Sequence, residues 1–258
     1  MDNPAVNTKR NTTKQGREAV VSIHHLKKSF GTKEVLRDLS YDLYRGENLV
    51  VLGKSGTGKS VSIKCMVGLL RQDSGTLKVF DQEVSELKED GLRDLRVRVG
   101  FLFQSGALYD SMTVEQNLSF PLTRVLKLQD EGEIRSRIEE VLDSVGLKEA
   151  IDKMPSDLSG GMRKRIGLAR TVILKPEILL YDEPTTGLDP ITSREISQLI
   201  RDMQKRFGIS SIIITHDMEC AHITADRMIV MKEGVVTAEG TFEELKNHSD
   251  EFVRSFFN

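Results

Sequence analysis

The alternation of apolar and polar positions divides the chain into short buried runs and half-buried segments. ENLVVL at 47–52 and the apolar run Ile178–Leu180 predict strands buried on both faces, as a parallel sheet requires. Near the N-terminus, the segments VVSIHHL and LRDLSYDLY alternate with period two, which predicts antiparallel strands with one face in the core. The pattern therefore predicts an α/β fold, with a parallel core and an antiparallel β layer beside it.

Apolar residues at helical spacing predict helices between these strands. VSIKCMVGLL at 61–70 follows the first buried run, and RKRIGLARTVIL at 163–174 precedes the second. EGEIRSRIEEVLDSVGL at 131–147 carries one apolar stripe, formed by Ile134, Ile138, Val141, Leu142 and Val145. The middle of the chain is therefore expected to be helical.

GKSGTGKS at 53–60 has the spacing of a phosphate-binding loop between a strand and a helix. Its glycines allow a tight turn whose N–H groups face one anion, and the phosphates then meet a helix N-terminus. Lys59 is expected to contact the β- and γ-phosphates, and the Ser60 hydroxyl is expected to bind Mg²⁺. The predicted ATP-binding residues in this region are Gly53, Lys54, Ser55, Gly56, Thr57, Gly58, Lys59, Ser60 and Val61.

ILLYDEP at 178–184 is an apolar run that ends in two carboxylates. Asp182 is expected at the carboxyl end of its strand, where open α/β sheets bind ligands, and would hold Mg²⁺ beside Ser60. Glu183, one residue further, would orient or deprotonate the attacking water. Taken alone, the same pattern fits a strand that meets a solvated turn.

LSGGM at 158–162 opens the helix at 163–174, with Ser159 as its N-cap and free backbone donors behind it. Such a terminus attracts phosphate without a charged side chain. A plain Ser-capped helix after the Pro155 turn is the alternative for this segment alone.

A phosphate loop, LSGGM and a hydrophobic-Asp-Glu strand, in that order, resemble the ATP-binding cassette (ABC) ATPases. The resemblance covers roughly residues 19–245 and implies a P-loop NTPase cassette of ABC type. Such a cassette has a RecA-like parallel core, an antiparallel β layer and an inserted α-helical subdomain. It also implies ATP and Mg²⁺ as cofactors and ATP hydrolysis as the activity.

The resemblance assigns further roles residue by residue. Gln104 in GFLFQ matches the glutamine that contacts Mg²⁺ and the attacking water, and His216 in SIIITHD matches the switch histidine at the γ-phosphate. Asp189 in GLD matches a residue that reaches the opposite subunit, and Phe30 in KKSFG matches the aromatic that stacks on adenine. The implied catalytic residues are Glu183, His216, Gln104 and Lys59. The implied metal-binding residues are Ser60, Gln104 and Asp182. The ATP-binding set is completed by Ser159, Gly160, Gly161, Asp189 and Phe30. A lone Phe is otherwise usually a core residue, and a lone His after a strand usually marks only the strand's end.

In the predicted domain organisation, 1–17 is a disordered polar tail and 18–258 an ABC ATPase domain. A helical subdomain spans about 105–175 and a C-terminal helical tail about 241–258. The sequence shows no internal repeat, so the resemblance predicts a head-to-tail homodimer in which the phosphate loop of one copy and LSGGM of the other clamp the same nucleotide.

Bulk properties restrict the setting of this ATPase. A net charge of −2 gives no electrostatic reason to bind nucleic acid. Cys65 and Cys220 lack metal-binding spacing and are expected to be reduced thiols. Because no stretch approaches 18 consecutive apolar residues, membrane association is expected to come through a partner.

FLFQSGALYDSMTVEQNLSFPL at 101–122 is similar to a segment of the ATPases that drive Mce-associated lipid transporters, including the Mla (maintenance of lipid asymmetry) system. MPSDLSGGM and DPIT agree with that subtype. It implies a membrane permease dimer, an Mce-domain protein, a STAS-type subunit, phospholipid cargo and a position on the cytoplasmic face of the inner membrane. The turn at 105–109 would receive a short permease helix; the alternative is that it packs inside the helical subdomain.

Three other interpretations remain open from the sequence. The first is an ABC ATPase for another cargo, such as an amino acid or a metal ion. The second is a soluble cassette in cluster assembly, DNA repair or translation, and the third is a scaffold that binds ATP without hydrolysis. The Phe-rich end FVRSFFN at 252–258 fits either bracing of a neighbouring ATPase subunit, as the subtype implies, or packing on its own domain.

Overall fold

The computed structural model describes residues 16–103 and 106–257. Its strands are β1 (Ala19–Phe30), β2 (Lys33–Tyr44), β3 (Asn48–Gly53), β4 (Ser74–Val79), β5 (Gln82–Glu83), β6 (Val99–Leu102), β7 (Ile178–Asp182), β8 (Ser210–Ile214), β9 (Arg227–Lys232) and β10 (Val235–Gly240). Its α-helices are α1 (Lys59–Met66), α2 (Glu89–Arg98), α3 (Val114–Arg124), α4 (Glu131–Ser144), α5 (Gly160–Val172), α6 (Pro190–Phe207), α7 (Met218–Thr224), α8 (Phe242–Lys246) and α9 (Glu251–Arg254).

The strands of the described residues form one sheet in the order β5-β4-β1-β2-β10-β9-β3-β8-β7-β6. Strands β9, β3, β8, β7 and β6 are mutually parallel, whereas β1, β2, β4 and β5 pair antiparallel. The predicted parallel core and antiparallel layer are therefore both present. The parallel strands bring their carboxyl ends to one edge, which positions the site.

Side-chain alternation along the parallel strands feeds two hydrophobic cores. In β3, Val50 and Leu52 pack with the helices α3 to α7, while Leu49 and Val51 pack with α1 and the antiparallel strands. The other parallel strands alternate in the same way. Both faces are covered, which explains why these strands appear as continuous apolar runs in the sequence.

Polar caps set where the central helices begin. Asp130 accepts from Glu133 N at the start of α4, and Thr113 and Gln116 form a capping box at α3. Ser159 accepts from Met162 N at the start of α5, as its sequence context predicts. These hydrogen bonds satisfy donors that the first helical turn leaves open.

The helix predicted at 61–70 is shorter in the structure, because α1 ends at Met66. Gly68 has left-handed backbone (φ 63°) and its N–H donates to Cys65 O at 3.0 Å. A glycine in this conformation terminates a helix, so Leu69 lies beyond it and is 51% exposed.

Arg227 makes a buried ion pair with Glu47 at the amino ends of β9 and β3, opposite the edge that carries the site. The Glu47 side chain is 1% exposed and that of Arg227 13%, and Arg227 Nη2 donates to Glu47 Oε2 at 2.9 Å. Although burial alone would lower it, the contact with Glu47 leaves the pKa of the Arg227 guanidinium above its ordinary value. Arg17, which falls within the predicted tail, lies against this pair, with a guanidinium nitrogen 3.6 Å from Glu47; residues 1–15 of that tail lie outside the described residues.

The buried Asn117 of α3 fixes the segment that precedes its helix. Its Nδ2 donates to the carbonyls of Tyr109 (3.1 Å), Met112 (3.0 Å) and Thr113 (3.0 Å), and its Oδ1 accepts from Tyr109 N at 2.8 Å. The side chain is fully buried, so these bonds replace the water that the loop carbonyls would otherwise need.

The Phe-rich C-terminal segment packs on its own chain. The Phe242 ring lies edge-on to His222 of α7 at 4.3 Å and to Phe257 at 5.1 Å. The Phe252 ring lies 4.6 Å from Lys232 Nζ at the end of β9. Of the two roles that the sequence left open for this segment, packing on its own domain is the one seen in the monomer.

Among the residues that the structure describes, no helix combines the length and apolar character needed to cross a membrane.

Candidate functional site

The loop between β3 and α1 is built for close approach of an anion. Gly58 precedes α1 with left-handed backbone (φ 100°), and a Cβ there would lie 2.5 Å from Leu36 Cδ2. A Cβ on Gly53 would lie 2.7 Å from Met231 O. No side chain caps α1, so the donors of its first turn face the loop.

Lys59 lies inside this loop and is 8% exposed. Its Nζ donates to Gly53 O at 2.7 Å and to Lys54 O at 3.1 Å. Burial lowers the pKa of the Lys59 ammonium, and the nearby carboxylates of Glu183 and Asp182 oppose that effect. The loop therefore holds a cation ready for phosphate oxygens.

Ser60 and Asp182 meet across the cleft as predicted. The Ser60 hydroxyl donates to Asp182 Oδ1 at 2.9 Å, which joins the first turn of α1 to the carboxyl end of β7. A hydroxyl and a carboxylate are hard oxygen ligands, the type that Mg²⁺ prefers.

Glu183 and His216 follow the neighbouring strands β7 and β8. His216 Nδ1 lies 2.8 Å from Glu183 Oε2, and the backbone N–H of His216 lies 3.4 Å from the same oxygen. Glu183 has left-handed backbone (φ 55°), and its N–H donates to Ile214 O at 2.9 Å. This turn directs the carboxylate into the cleft rather than along the strand.

These groups line one cleft of about 650 Å³. Of the predicted residues, those that line it are Gly53, Ser55, Gly56, Gly58, Lys59, Ser60, Val61, Asp182, Glu183 and His216. Lys33, Val35, Thr186 and Ile214 also line it, and sequence reasoning missed them. For Lys33 and Val35, a signal was present: Gly31 and Thr32 form a two-residue turn between alternating segments, so the strand after KKSFG returns to the site.

Several predicted residues lie away from this cleft. Phe30 is 47% exposed at the tip of the β1–β2 hairpin, where it pairs with Lys33. Lys54 extends toward the Phe252 ring, with its Nζ 5.7 Å from the ring centre, and Thr57 Oγ1 donates to Lys54 O. Gln104 lies outside the described residues.

The LSGGM segment contacts the Asp189 loop of its own chain rather than the phosphate loop. A Cβ on Gly160 would lie 3.6 Å from Leu188, and one on Gly161 would lie 2.6 Å from Thr192. Asp189 caps α6 through Ile191 N and Thr192 N, and the Thr192 contacts lower the pKa of its carboxyl. Within one chain, Ser159, Gly160, Gly161 and Asp189 are thus absent from the lining of the cleft.

The residues present fit a magnesium nucleotide. Gly56 and Gly58 have left-handed backbone (φ 80° and 100°), which turns the loop tightly before the uncapped N-terminus of α1. Lys59 supplies the cation, and Ser60 and Asp182 supply paired oxygens. Because these groups converge at the carboxyl edge of the parallel strands, the geometry suits a nucleoside triphosphate with its metal.

Comparison with known proteins agrees with this geometry. The sequence model of the family described as "ABC transporter" matches residues 36–186. The chain is 39% identical over 238 residues to a "Probable ribonucleotide transport ATP-binding protein mkl" of Mycobacterium leprae (strain TN), covering 92% of this chain and 68% of that protein. It is 39% identical over 225 residues to a "Methionine import ATP-binding protein MetN" of Rhizobium etli, covering 86% of this chain and 61% of the relative. This chain thus spans roughly two-thirds of the length of these relatives.

Two solved structures share the fold. cbiO1 from Clostridium perfringens, described as part of the ABC transporter complex cbiONQ, superposes with a TM-score of 0.83 at 31% identity, covering 92% of this chain and 94% of that chain. The dimeric ATP-binding cassette MJ0796, in a post-hydrolysis state bound to ADP and Pi, superposes with a TM-score of 0.77 at 28% identity, covering 86% and 98%.

The predicted P-loop cassette fold is thereby confirmed, and ATP with Mg²⁺ are the cofactors. The chain belongs to the ABC transporter family, as an ATP-hydrolysing, ATP-binding subunit.

Proposed function

We propose that this ATPase powers phospholipid transport between the inner and outer membranes of a diderm bacterium, in a complex of the Mla/Mce type. The observation that carries the proposal is the segment at 101–122, whose sequence is similar to that of Mce-associated ATPases. In the structure the same segment borders an exposed groove that has no partner within the described residues.

This groove has a volume of about 290 Å³ and an apolar floor with basic sides. Leu69 and Phe103 are 51% and 39% exposed in it, and the Phe103 ring stacks on Phe101 at 4.2 Å. Arg96 donates to Val67 O, and Arg170 donates to Ala107 O, so both guanidinium groups are held at the side. Such a groove suits a short amphipathic helix with an acidic residue, which is the part that a permease dimer would supply.

A second copy of the chain would complete the ATP site. The LSGGM segment does not line the cleft of its own chain, and a head-to-tail C₂ dimer would bring Ser159, Gly160 and Gly161 to the partner's cleft. In that arrangement Asp189, whose carboxylate caps α6, would lie along the dimer interface. The support for this arrangement is the absence of LSGGM from the lining of its own cleft.

The roles proposed for the residues that line the cleft follow from their positions, whereas those of Gln104 and Phe30 rest on the resemblance to ABC ATPases. Lys59 and the loop N–H groups would bind the β- and γ-phosphates, and Ser60, Asp182 and Gln104 would hold Mg²⁺. Mg²⁺ held by these residues would supply neutralisation of charge on the phosphate oxygens. Glu183 would orient and deprotonate the attacking water, and His216 would fix the Glu183 carboxylate and contact the γ-phosphate. Phe30 would stack on adenine.

We also propose the remaining organisation of the complex. The helical subdomain at about 105–175 would receive the permease, and the C-terminal helical tail would span about 241–258. The tail predicted at 1–17 would stay disordered except at its end, where Arg17 contacts Glu47. An Mce-domain protein and a STAS-type subunit would complete the assembly. The ATPase would then act on the cytoplasmic face of the inner membrane without touching lipid.

A different cargo is the second candidate. Relatives at 39% identity are named for ribonucleotide transport and for methionine import. These names leave the ATPase chemistry unchanged and alter only the permease and what it carries.

Recovery of the native complex tests the proposal. The tagged chain is purified from gently solubilised native membranes, and protein and lipid are identified by mass spectrometry. Recovery of a permease, an Mce-domain protein and phospholipid is expected. Another permease would reject the phospholipid cargo, and no membrane partner would favour a soluble cassette.

A matched pair of variants tests the groove in the same experiment. Leu69→Asp places a charge in the groove, whereas Val125→Asp places one on a similarly exposed residue (42%) outside the groove lining. Loss of the permease with Leu69→Asp alone is expected, while both variants still bind ATP. Equal recovery with both variants would contradict docking at this groove.

A further inference from the structure

A part-buried hydrogen bond joins the two loops that carry Glu183 and His216. Thr185, two residues after Glu183, donates from Oγ1 to Asp217 Oδ2 at 3.0 Å, and Asp217 directly follows His216. Thr185 is only 4% exposed. A hydroxyl bound to a carboxylate is a charge-assisted and directional contact.

Asp217 is itself fixed by its other atoms. Its Oδ1 accepts from Glu219 N at 3.0 Å and Cys220 N at 3.1 Å, which caps α7. Its N–H donates to Thr215 Oγ1 at 3.0 Å. One carboxylate therefore anchors α7 with one oxygen and the Thr185 loop with the other.

This bond joins the loops beyond the end of the β7–β8 ladder, in addition to the hydrogen bond from Glu183 N–H to Ile214 O. The β7–β8 ladder ends at the pair Asp182 and Ile214, just before both loops begin. Beyond it, Glu183 adopts left-handed backbone, which is unfavourable for a residue with a side chain and persists only where surrounding contacts fix it. The Thr185–Asp217 bond is such a contact.

The bond lies behind the reacting groups rather than among them. Glu183 and His216 line the nucleotide cleft, whereas Thr185 and Asp217 do not. They line a neighbouring hollow of about 330 Å³, between the Asp189 loop and α7. Any effect of Thr185 on hydrolysis must therefore pass through the two residues that it positions.

We propose that the hydrogen bond between Thr185 and Asp217 sets the position of Glu183 relative to His216. Thr185 and Asp217 are thus positioning residues for the attack of water. The inference rests on the proposed role of Glu183. A displacement of a catalytic group by about 1 Å can reduce a rate about 10²-fold, so the loss of this one hydrogen bond is enough to change turnover.

Substitutions at Thr185 test the role of the Thr185–Asp217 hydrogen bond. Thr185→Val keeps the shape and removes the hydroxyl, whereas Thr185→Ser keeps the hydroxyl. We expect Thr185→Val to lower kcat on the order of 10- to 100-fold, with ATP affinity unchanged because the phosphate loop is untouched. Thr185→Ser is expected to restore most of kcat.

Asp217→Asn tests the other half of the bond. It retains an oxygen for the α7 cap and replaces the oxygen that faces Thr185 with an amide. Because its Nδ2 can donate to the Thr185 hydroxyl, Asp217→Asn exchanges a charge-assisted bond for a weaker neutral one. Its loss of kcat should therefore be smaller than that of Thr185→Val and should not add to it, since both variants act on the same interaction.

Thr224→Val is the matched control for the loss of a buried hydroxyl. Thr224 lies on α7, is fully buried and donates to Cys220 O at 2.7 Å, away from the cleft. It is expected to lower stability without lowering kcat. An equal kcat for Thr185→Val and Thr224→Val would contradict the proposed role of the Thr185–Asp217 hydrogen bond.

Glu183→Gln separates this inference from the function beneath it. In a Glu183→Gln background, Thr185→Val should cause little further loss. A slow Glu183→Gln enzyme in which Thr185→Val still lowers kcat by its full factor would overturn the inference alone. Near-normal hydrolysis by Glu183→Gln would overturn the role of Glu183 and this inference with it.

Discussion

The imidazole Nδ1 of His216 lies 2.8 Å from Oε2 of Glu183, although 33 positions separate the two residues in the chain. The parallel pairing of β7 with β8 creates this contact, because it brings the residues that follow both strands to one edge. A carboxylate beside a ring nitrogen, at the mouth of a phosphate loop, is the arrangement on which the first prediction depends.

Replacing Glu183 by Gln should separate ATP binding from ATP turnover. The amide keeps the shape but cannot accept the proton of the attacking water, so turnover should fall on the order of 10²–10⁴-fold. That range corresponds to about 3–5 kcal/mol of activation free energy. Steady-state phosphate release and nucleotide titration measure the two quantities. Glu233→Gln, at a residue that also has left-handed backbone but lies in the β9–β10 turn, is the control and should keep normal turnover.

Lys59→Ala should act on nucleotide affinity. Its Nζ now bonds two loop carbonyls and would exchange them for phosphate oxygens, with each charge-assisted hydrogen bond contributing about 1.5–3 kcal/mol. Affinity for ATP should therefore fall at least about tenfold by calorimetry. Lys64→Ala, in the last turn of the same helix, should bind ATP normally. Unchanged affinity in Lys59→Ala would count against the assigned role of the loop.

Arg227→Leu should destabilise the fold without touching the site. Removing the guanidinium leaves the Glu47 carboxylate buried without its main partner, which typically costs about 3–5 kcal/mol. Urea unfolding measures this loss. Arg37→Leu breaks only exposed ion pairs, with Glu233 and Glu34, and should change the free energy of unfolding by less than about 1 kcal/mol. A similar effect from both variants would show that burial of the Arg227 pair is irrelevant.

Both cysteines should resist thiol reagents in the native protein. Burial raises the pKa of Cys65 and of Cys220 to about 11, and both side chains are fully buried. Since the thiolate is the reactive form, only about one thiol in 10³ would be ionised at pH 8 even with free access. Reaction with a chromogenic disulfide should be negligible until denaturant is added, when both thiols should titrate. Fast reaction of either thiol in the folded protein at pH 8 would contradict this packing.

The parallel core was predictable because burial on both faces leaves a direct record in sequence. The runs at 47–52 and 178–180 are apolar because alternate residues enter different cores, and both form strands. The end of α1 was missed because the apolar pattern continues to Leu70, whereas Gly68 turns the backbone out of the helix. Apolar periodicity records burial, and a single left-handed glycine overrides it.

The cleft was predictable where motifs are local and less so where it depends on the tertiary fold. Ser60 and Asp182 were correctly expected to meet, since a phosphate loop and a strand end share one sheet edge. Lys33 was missed although the two-residue turn at Gly31 and Thr32 indicates a hairpin that returns the chain to the site. Thr186 was missed because its place in the cleft depends on a loop return that no spacing rule fixes. Thr185 was passed over for the same reason: its partner Asp217 is 32 positions away.

Asn117 joins the segment before α3 rigidly to the helix. Three carbonyls and one N–H of the loop at 109–113 converge on a single buried amide, so this loop and α3 are expected to travel as one rigid piece. A displacement of Tyr109 would then move α3 with it instead of only bending the loop. Asn117→Ala would loosen the connection between the loop and α3 while leaving the nucleotide cleft intact. ATP hydrolysis would then continue, but less of the accompanying motion would be transmitted through this loop to a docked partner.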